Sequence, residues 1–298
     1  MATLAFRPLS PGVLLMRRLR IPVKLVLMAL TLLLPMAVLV TSTFITAQDD
    51  MVMVRQELVG ARQISRLVDL AVTVQHHRDL ALRSFGEDPN NKQQRAEVQQ
   101  RLKQDAAALD SELLTPDRRT WDAVRKSIGD IVEGRTPVRR DDLHAFHAQV
   151  VEQLRQQLML TAEASGLLLD PEATSYHLMD LAVERVVPWL EVLSQARGQG
   201  SAVLTRGEPK QLDRMAMLSS AEQMSAQLQN LQMRMDALSR AGHAAPQEWD
   251  AARQATEQLA ARTRTAFSAE ILSEDPEAYF GLATRAVDAS SQIGRAHV

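Results

Sequence analysis

The chain has 298 residues, which is enough to bury a substantial core in one or two domains. It contains no cysteine, so disulfides, cysteine-ligated zinc and thiol catalysis are excluded. Aromatic residues make up only 4% of the chain, while Ala, Leu, Gln, Glu and Arg dominate it. This composition favours an all-α fold, because these side chains lose little entropy in a helix.

The net charge of −2 is distributed unevenly along the chain. Residues 1–48 carry five basic residues and no acidic one, whereas the rest holds 29 basic and 36 acidic residues. A basic start before an acidic body is not typical of a nucleic-acid-binding protein, so no nucleic-acid partner is expected. The pattern instead matches the rule that Lys and Arg stay on the cytoplasmic side of a membrane segment.

An uncharged stretch of 24 residues runs from Leu25 to Gln48. About 20 apolar residues span a bilayer as a helix, so we predict a transmembrane helix over residues 21–48, preceded by a cytoplasmic tail of residues 1–20. Pro35 should kink this helix mildly. The alternative is a cleaved signal peptide, with a poor cleavage site at Val40-Thr41-Ser42. The length of the stretch, and a helical periodicity that continues beyond it, favour an uncleaved anchor.

Beyond the anchor, apolar residues recur at spacings of three and four, which is typical of amphipathic helices. Glycine and proline interrupt this pattern at intervals, so residues 49–292 are predicted to form long antiparallel helices in one or two stacked four-helix bundles. We expect the first helix to continue from the anchor to about Phe85. Further helices are expected over Lys92 to Leu114, Thr115 to Gly134, Asp141 to Leu169 and Asp170 to Thr205. Another helix ends at Arg240, the next runs from Pro246 to Leu272, and the last begins at Pro276.

The last six residues, Ile293–Val298, read Ile-Gly-Arg-Ala-His-Val. A widely used sequencing-library adapter encodes this string in one reading frame. We therefore expect residues 293–298 to be an adapter-encoded tail, the gene to have been cut near Gln292, and an output domain to be missing. A genuine stop codon after Val298 in a re-sequenced locus would contradict this expectation.

No catalytic constellation is found in the sequence: it has no glycine-rich phosphate loop, no His-Glu-x-x-His helix and no Gly-x-Ser-x-Gly elbow. Neither enzymatic activity nor a cofactor is expected of this chain. His144 and His147 have the spacing of a metal pair on one helix, but no further ligand lies near them in the sequence. A metal-free pair is therefore favoured, and the same holds for His76-His77.

Two arginines in the helical stripes are the candidate ligand-binding residues. Arg78 lies among apolar residues of the first helix, and Arg197 lies within Ala196-Arg197-Gly198-Gln199-Gly200. A guanidinium in a bundle cleft can hold an anion through two parallel hydrogen bonds, and the neighbouring glycines allow close approach. The alternative is that each arginine pairs with Asp or Glu on a neighbouring helix.

Two segments resemble signatures of bacterial periplasmic sensor regions. Val74–Leu80 is similar to a Gln-x-His-Arg-Gly-Leu signature, and Ala164–Asp180, followed by Ala196-Arg197-Gly198, resembles a second one. These signatures belong to the helical-bimodular and nitrate/nitrite-sensing classes, which head methyl-accepting chemotaxis proteins, membrane diguanylate cyclases and sensor histidine kinases. Asp79 stands where the first signature has glycine, and a carboxylate there could neutralise Arg78.

The resemblance implies the sensory input region of a bacterial transmembrane chemoreceptor. It implies an inner-membrane protein with a cytoplasmic N-terminus, a periplasmic bundle, and a homodimeric assembly. An anionic small molecule or a periplasmic binding protein would bind at Arg78 and Arg197. One alternative is the same sensor region of a diguanylate cyclase or histidine kinase. Another is a membrane-anchored structural coiled coil without a ligand.

Overall fold

The computed structural model describes residues 20–83, 89–114, 118–169 and 173–296, and these residues contain helices and no strand. The prediction of an all-α fold is confirmed. The helices are α1 (Ile21–Arg83), α2 (Pro89–Glu112), α3 (Arg119–Val132), α4 (Arg140–Ala164), α5 (Ala173–Met179), α6 (Val186–Arg206), α7 (Gln211–Arg240), α8 (Trp249–Ser268) and α9 (Pro276–Ala296). A π-helical stretch, Asp180–Arg185, joins α5 to α6.

The chain divides into two units between Arg55 and Gln56. The first unit contains the N-terminal part of α1, whose apolar side chains are exposed; Leu32 and Leu39, for example, are 73% and 66% exposed. The hydroxyls of Thr31 and other threonines in this part donate to carbonyl oxygens of the preceding turn, so they are satisfied within the helix. By length and composition, α1 can span a membrane.

Within the second unit, α6, α7, α8 and α9 form a four-helix bundle. Each of these helices packs against the next, and α9 closes the ring by packing against α6. The connections between them are short, which makes neighbouring helices antiparallel. The core between them contains Trp189 and Trp249, whose ring centroids lie 6.2 Å apart, together with Tyr279 and Phe267.

The C-terminal part of α1 packs with α2, α3 and α4 in a second set of four helices. Neighbouring pairs α2–α3 and α3–α4 are in contact. The Gln63 amide on α1 donates to the Glu112 carbonyl at the end of α2 and accepts from the Leu114 N–H at 2.8 Å. About four turns further along α1, Nδ1 of His77 lies 2.9 Å from Nε2 of His147 on α4. The expectation of helical bundles beyond the apolar segment is therefore confirmed.

Several helix boundaries differ from the predicted ones. The helix α4 ends at Ala164 instead of Leu169, because Gly166 adopts a left-handed conformation with φ of 82° and a 3₁₀ turn follows. Helix α8 begins at Trp249 and ends at Ser268, three and four residues inside the expected limits. The predicted ends at Phe85, Thr115 and Asp170 lie outside the described residues.

Helices α6 and α9 approach closely at Gly200. A Cβ atom built on Gly200 would lie 2.5 Å from Cε1 of Tyr279. The Tyr279 ring is fully buried, and its hydroxyl contacts the hydroxyl of Thr263 at 2.9 Å and donates to the carbonyl of Ala196 at 3.4 Å. The ring is therefore fixed in place, and only glycine fits opposite it.

We predict that Gly200→Ala lowers the free energy of unfolding by about 1–3 kcal/mol, because the added methyl overpacks this contact. Gly129→Ala is the matched control: it lies inside α3, and a Cβ there meets nothing within 4 Å. It should stabilise the protein by about 0.5–1 kcal/mol. Urea unfolding of the full chain in detergent, followed by tryptophan fluorescence, measures both changes. Equal stability of the two variants would contradict the close-packing argument.

Candidate functional site

Arg78 on α1 is fully buried and lies against α6. Its Nη1 donates to Oε1 of Glu191 at 2.5 Å, and its Nε lies 3.5 Å from Oδ1 of Asp79. Glu191 also accepts hydrogen bonds from the amides of Gln75 at 2.8 Å and Gln195 at 2.7 Å. The carboxylate of Glu191 thus joins side chains from both helices.

Asp79, the residue after Arg78, binds the second candidate arginine. Its Oδ2 accepts from Nε of Arg197 at 2.7 Å and from the hydroxyl of Ser194 at 3.0 Å. A Cβ on Gly198 would lie 2.9 Å from Oδ1 of Asp79, so the absence of a side chain at Gly198 makes room for the carboxylate. The guanidinium of Arg197 also lies over the ring of Phe280, 5.6 Å from its centroid.

The four charged residues of this α1–α6 charge cluster are Arg78, Asp79, Glu191 and Arg197, two of each sign. Burial by itself lowers the pKa of Arg78, but the charges of Glu191 and Asp79 outweigh it and raise the pKa. Burial likewise raises the pKa of Glu191, but the charge and hydrogen bond of Arg78 outweigh it and lower the pKa. Both groups therefore stay ionised, as buried ions do when they are paired.

The cluster has hydrogen-bonding capacity that the described residues do not use. Within the described part of the chain, Nε and Nη2 of Arg78, Oδ1 of Asp79 and Oε1 of Gln75 have no hydrogen-bond partner. Buried polar atoms of this kind are usually satisfied by water or by a ligand group. The cluster can therefore accept a small polar guest or rearrange its pairing.

The structure brings Arg78 and Arg197 into one site through Asp79. Each arginine pairs with a carboxylate on another helix, which is the arrangement that the sequence left open as the alternative to anion binding. Asp79 is the residue that departs from the sensor signature, and it lies closer to Arg197 than to Arg78. Ligand binding by the two arginines stays a prediction.

Glu191 and Ser194 were not recognised from the sequence. Both lie more than 110 positions from their partners on α1. The spacing Glu191–Ser194–Arg197 repeats every three residues, so it places the three side chains along one face of α6. This polar stripe on a largely apolar helix is the sequence feature that could have indicated Glu191 and Ser194 as partners of the charge cluster.

A buried histidine pair lies beside the cluster. Nδ1 of His147 lies 2.9 Å from the carbonyl of Leu143, so it carries the proton and donates to that oxygen. The unprotonated Nε2 of His147 then accepts from Nδ1 of His77, 2.9 Å away, and Nε2 of His77 keeps a free lone pair. Both imidazoles are therefore neutral in the folded protein.

Burial lowers the pKa of both histidines, to about 3 for His77 and about 4 for His147. The neighbouring charges act in both directions: Arg95 and Arg78 disfavour a proton on the pair, whereas Asp79 favours one. His144, the other half of the spacing that resembled a metal pair, contacts the amide of Gln199 at 3.4 Å instead. The described residues contain no group of three potential metal ligands.

Comparison of the chain with protein-family models, with characterised proteins and with solved structures gives no match.

We predict that Arg197→Gln lowers the free energy of unfolding by about 3–5 kcal/mol, because Asp79 and Glu191 must then share Arg78 and one buried negative charge is left uncompensated. Adding Asp79→Asn should recover most of the loss, since no buried charge then remains unpaired. Arg253→Gln is the control, because its partner Glu257 is half-exposed and such pairs contribute less than about 1 kcal/mol. Urea unfolding gives the three values; equal losses for the single and double variants would contradict the pairing.

The histidine pair predicts a loss of stability in acid. The unfolded histidines take up protons near pH 6.5, whereas the folded pair does so only near pH 3–4, so their contribution is present above pH 6.5 and lost as the pH falls. Between pH 7 and pH 5 each histidine should account for about 2 kcal/mol.

Replacing both histidines, by His77→Leu and His147→Leu, should flatten this part of the pH profile of unfolding. His243→Gln, which changes an exposed histidine, should leave the profile unchanged. If the double variant retains the full slope, the neutral-pair assignment is wrong.

Proposed function

We propose that the chain is the sensory input region of a bacterial transmembrane receptor. In this proposal residues 1–20 are cytoplasmic, residues 21–48 cross the inner membrane once, and the helical bundles are periplasmic. The observation that carries the proposal is that one helix, α1, contains both the exposed apolar segment and Arg78-Asp79 of the charge cluster. A change at the cluster therefore acts on the helix that also enters the membrane.

The charge cluster supplies the physical basis for a signal. Helices α1 and α6 are held together by ion pairs, and Asp79 lies within reach of both arginines. A ligand-induced change that weakens one of these pairs would release Asp79 to its other arginine, which favours a new position of one helix against the other. Shifts of an angstrom or two between packed helices are a common means of signalling, and a homodimer is the assembly in which we expect them.

The output is proposed to be chemotaxis, with a diguanylate cyclase or a histidine kinase as the alternative. The resemblance in Val74–Leu80 supports all three equally, since all carry such sensor regions. The membrane-anchored scaffold is supported by a different observation, namely that both arginines already have carboxylate partners. A scaffold predicts that no small molecule changes the stability of the bundle, whereas a sensor predicts that one does.

We predict that alkaline phosphatase fused after residue 150 is active in a bacterial host and stays in the membrane fraction after an alkaline wash. The reporter folds only outside the cytoplasm, and the apolar segment of α1 should anchor it. A fusion after residue 18, in the basic tail, is the matched control and should be inactive. An inactive reporter at residue 150 would contradict the receptor proposal. An active reporter that is found in the soluble fraction would show that the apolar segment is a cleaved signal peptide.

A further inference from the structure

A half-open cleft of about 310 Å³ lies between α4, α6 and α7, next to the charge cluster. Leu82 of α1, one turn beyond Asp79, forms part of its wall, and so does Gln199 of α6, which directly follows Gly198. The cleft therefore contacts both helices that the cluster joins. Its remaining polar lining comes from Arg140, His144, Arg206 and Asp213.

The lining combines cationic groups with apolar ones. Arg140 and Arg206 face the cleft from different helices, together with the imidazole of His144, and the carboxylate among the described lining residues is that of Asp213. Helix α4 begins at Arg140, so the positive end of its peptide dipoles lies at the same place. Val203 and Met217 supply buried apolar surface. Ligand pockets of small polar molecules have this composition, with a few convergent polar groups on an apolar wall.

Arg206 can turn towards a ligand without leaving an unpaired buried charge. It is 46% exposed and bonds Oδ2 of Asp213 at 2.9 Å. The same oxygen accepts the backbone N–H of Lys210 at 3.0 Å, at the start of α7. If Arg206 rotates, Asp213 keeps that hydrogen bond and its access to water. An incoming anion therefore competes with a solvated carboxylate, which costs far less than opening the buried pair of Asp79 and Arg197.

We propose that this cleft, and not the charge cluster, binds the ligand, and that the ligand is a small anion of the size of phosphate or a four-carbon dicarboxylate. Arg140 and Arg206 hold its charge, and His144 and Gln199 provide further hydrogen bonds. The inference rests on the proposed sensory function and gives it a binding site. Binding draws α4 and α7 towards Gln199, and the turn that contains Gln199 also carries the contacts of Arg197 and Gly198 to Asp79.

The test uses the purified full chain in detergent, with inorganic phosphate and succinate as probes. Ionic strength is matched with sodium chloride, and succinamide serves as the uncharged control. At least one of the two anions should raise the melting temperature by several degrees at saturation, and succinamide should not. Titration calorimetry then gives the dissociation constant. If neither anion raises the melting temperature beyond the chloride control, the proposal is overturned.

Variants locate the site. Arg140→Gln and Arg206→Gln should each weaken binding at least tenfold, whereas Arg155→Gln, on the part of α4 outside the cleft, should leave the dissociation constant unchanged. Ala216→Phe fills the cleft from an exposed position without removing a charge, so it should also abolish binding while the fold is kept. Ala226→Phe, exposed on α7 away from the cleft, is its control.

The outcomes separate the cleft from the proposed function. If binding survives Arg206→Gln and Ala216→Phe but is lost in Arg197→Gln, the anion lies in the charge cluster and the cleft proposal is wrong, while the sensory function stands. If the anion binds in the cleft but the phosphatase fusion is inactive, the binding site stands and the receptor proposal fails.

Discussion

The arrangement of the helices depends on the buried ion pairs between α1 and α6. Arg78 and Arg197 cannot be buried without anions, and the anions come from the opposite helix in each case. Residue numbers rise together along both helices through these contacts, so α1 and α6 run parallel where they meet. A shift of either helix along its axis would separate Arg78 and Asp79, which are fully buried, from their partners on α6. The pairs therefore fix the axial register of the two helices.

A network of this kind adds little to stability when it is intact and costs much when it is broken. The desolvation of four ions offsets most of their attraction, so the main contribution to stability comes from the apolar cores on either side. The ion-pair network contributes specificity instead, because it selects one axial register among several that the apolar faces of α1 and α6 would permit. Unused donors and acceptors on Arg78 and Asp79 leave room for a second pairing pattern. The contact between α1 and α6 can therefore be stable in one pairing pattern and still change to another.

The sequence predicted the parts of the fold that depend on local pattern. The apolar segment, the helix periodicity and most helix ends follow from spacing, glycine and proline. It also drew attention to Arg78 and Arg197, the two arginines of the charge cluster, because an arginine within an apolar stripe stands out; ligand binding by them stays a prediction. It could not identify Glu191 as the partner of Arg78, since that pairing exists only after residues 113 positions apart are folded together. The contact of His77 with His147 joins residues 70 positions apart, so local pattern does not predict it either.

The π-helical stretch before α6 has a consequence for how this helix can move. A π turn contains about one residue more than an α turn, so Asp180–Arg185 holds one residue in excess of a regular α-helix of the same length. If the wide turn migrates along the helix, each residue it passes advances by about 1.5 Å and rotates by about 100°. The stretch is pinned by Asp180, which binds Arg185 at 3.3 Å and Arg234 of α7 at 3.1 Å. Because this one extra residue can be taken up at different positions, part of α6 can rotate and advance along its axis while the backbone hydrogen bonds at either end of the helix stay intact.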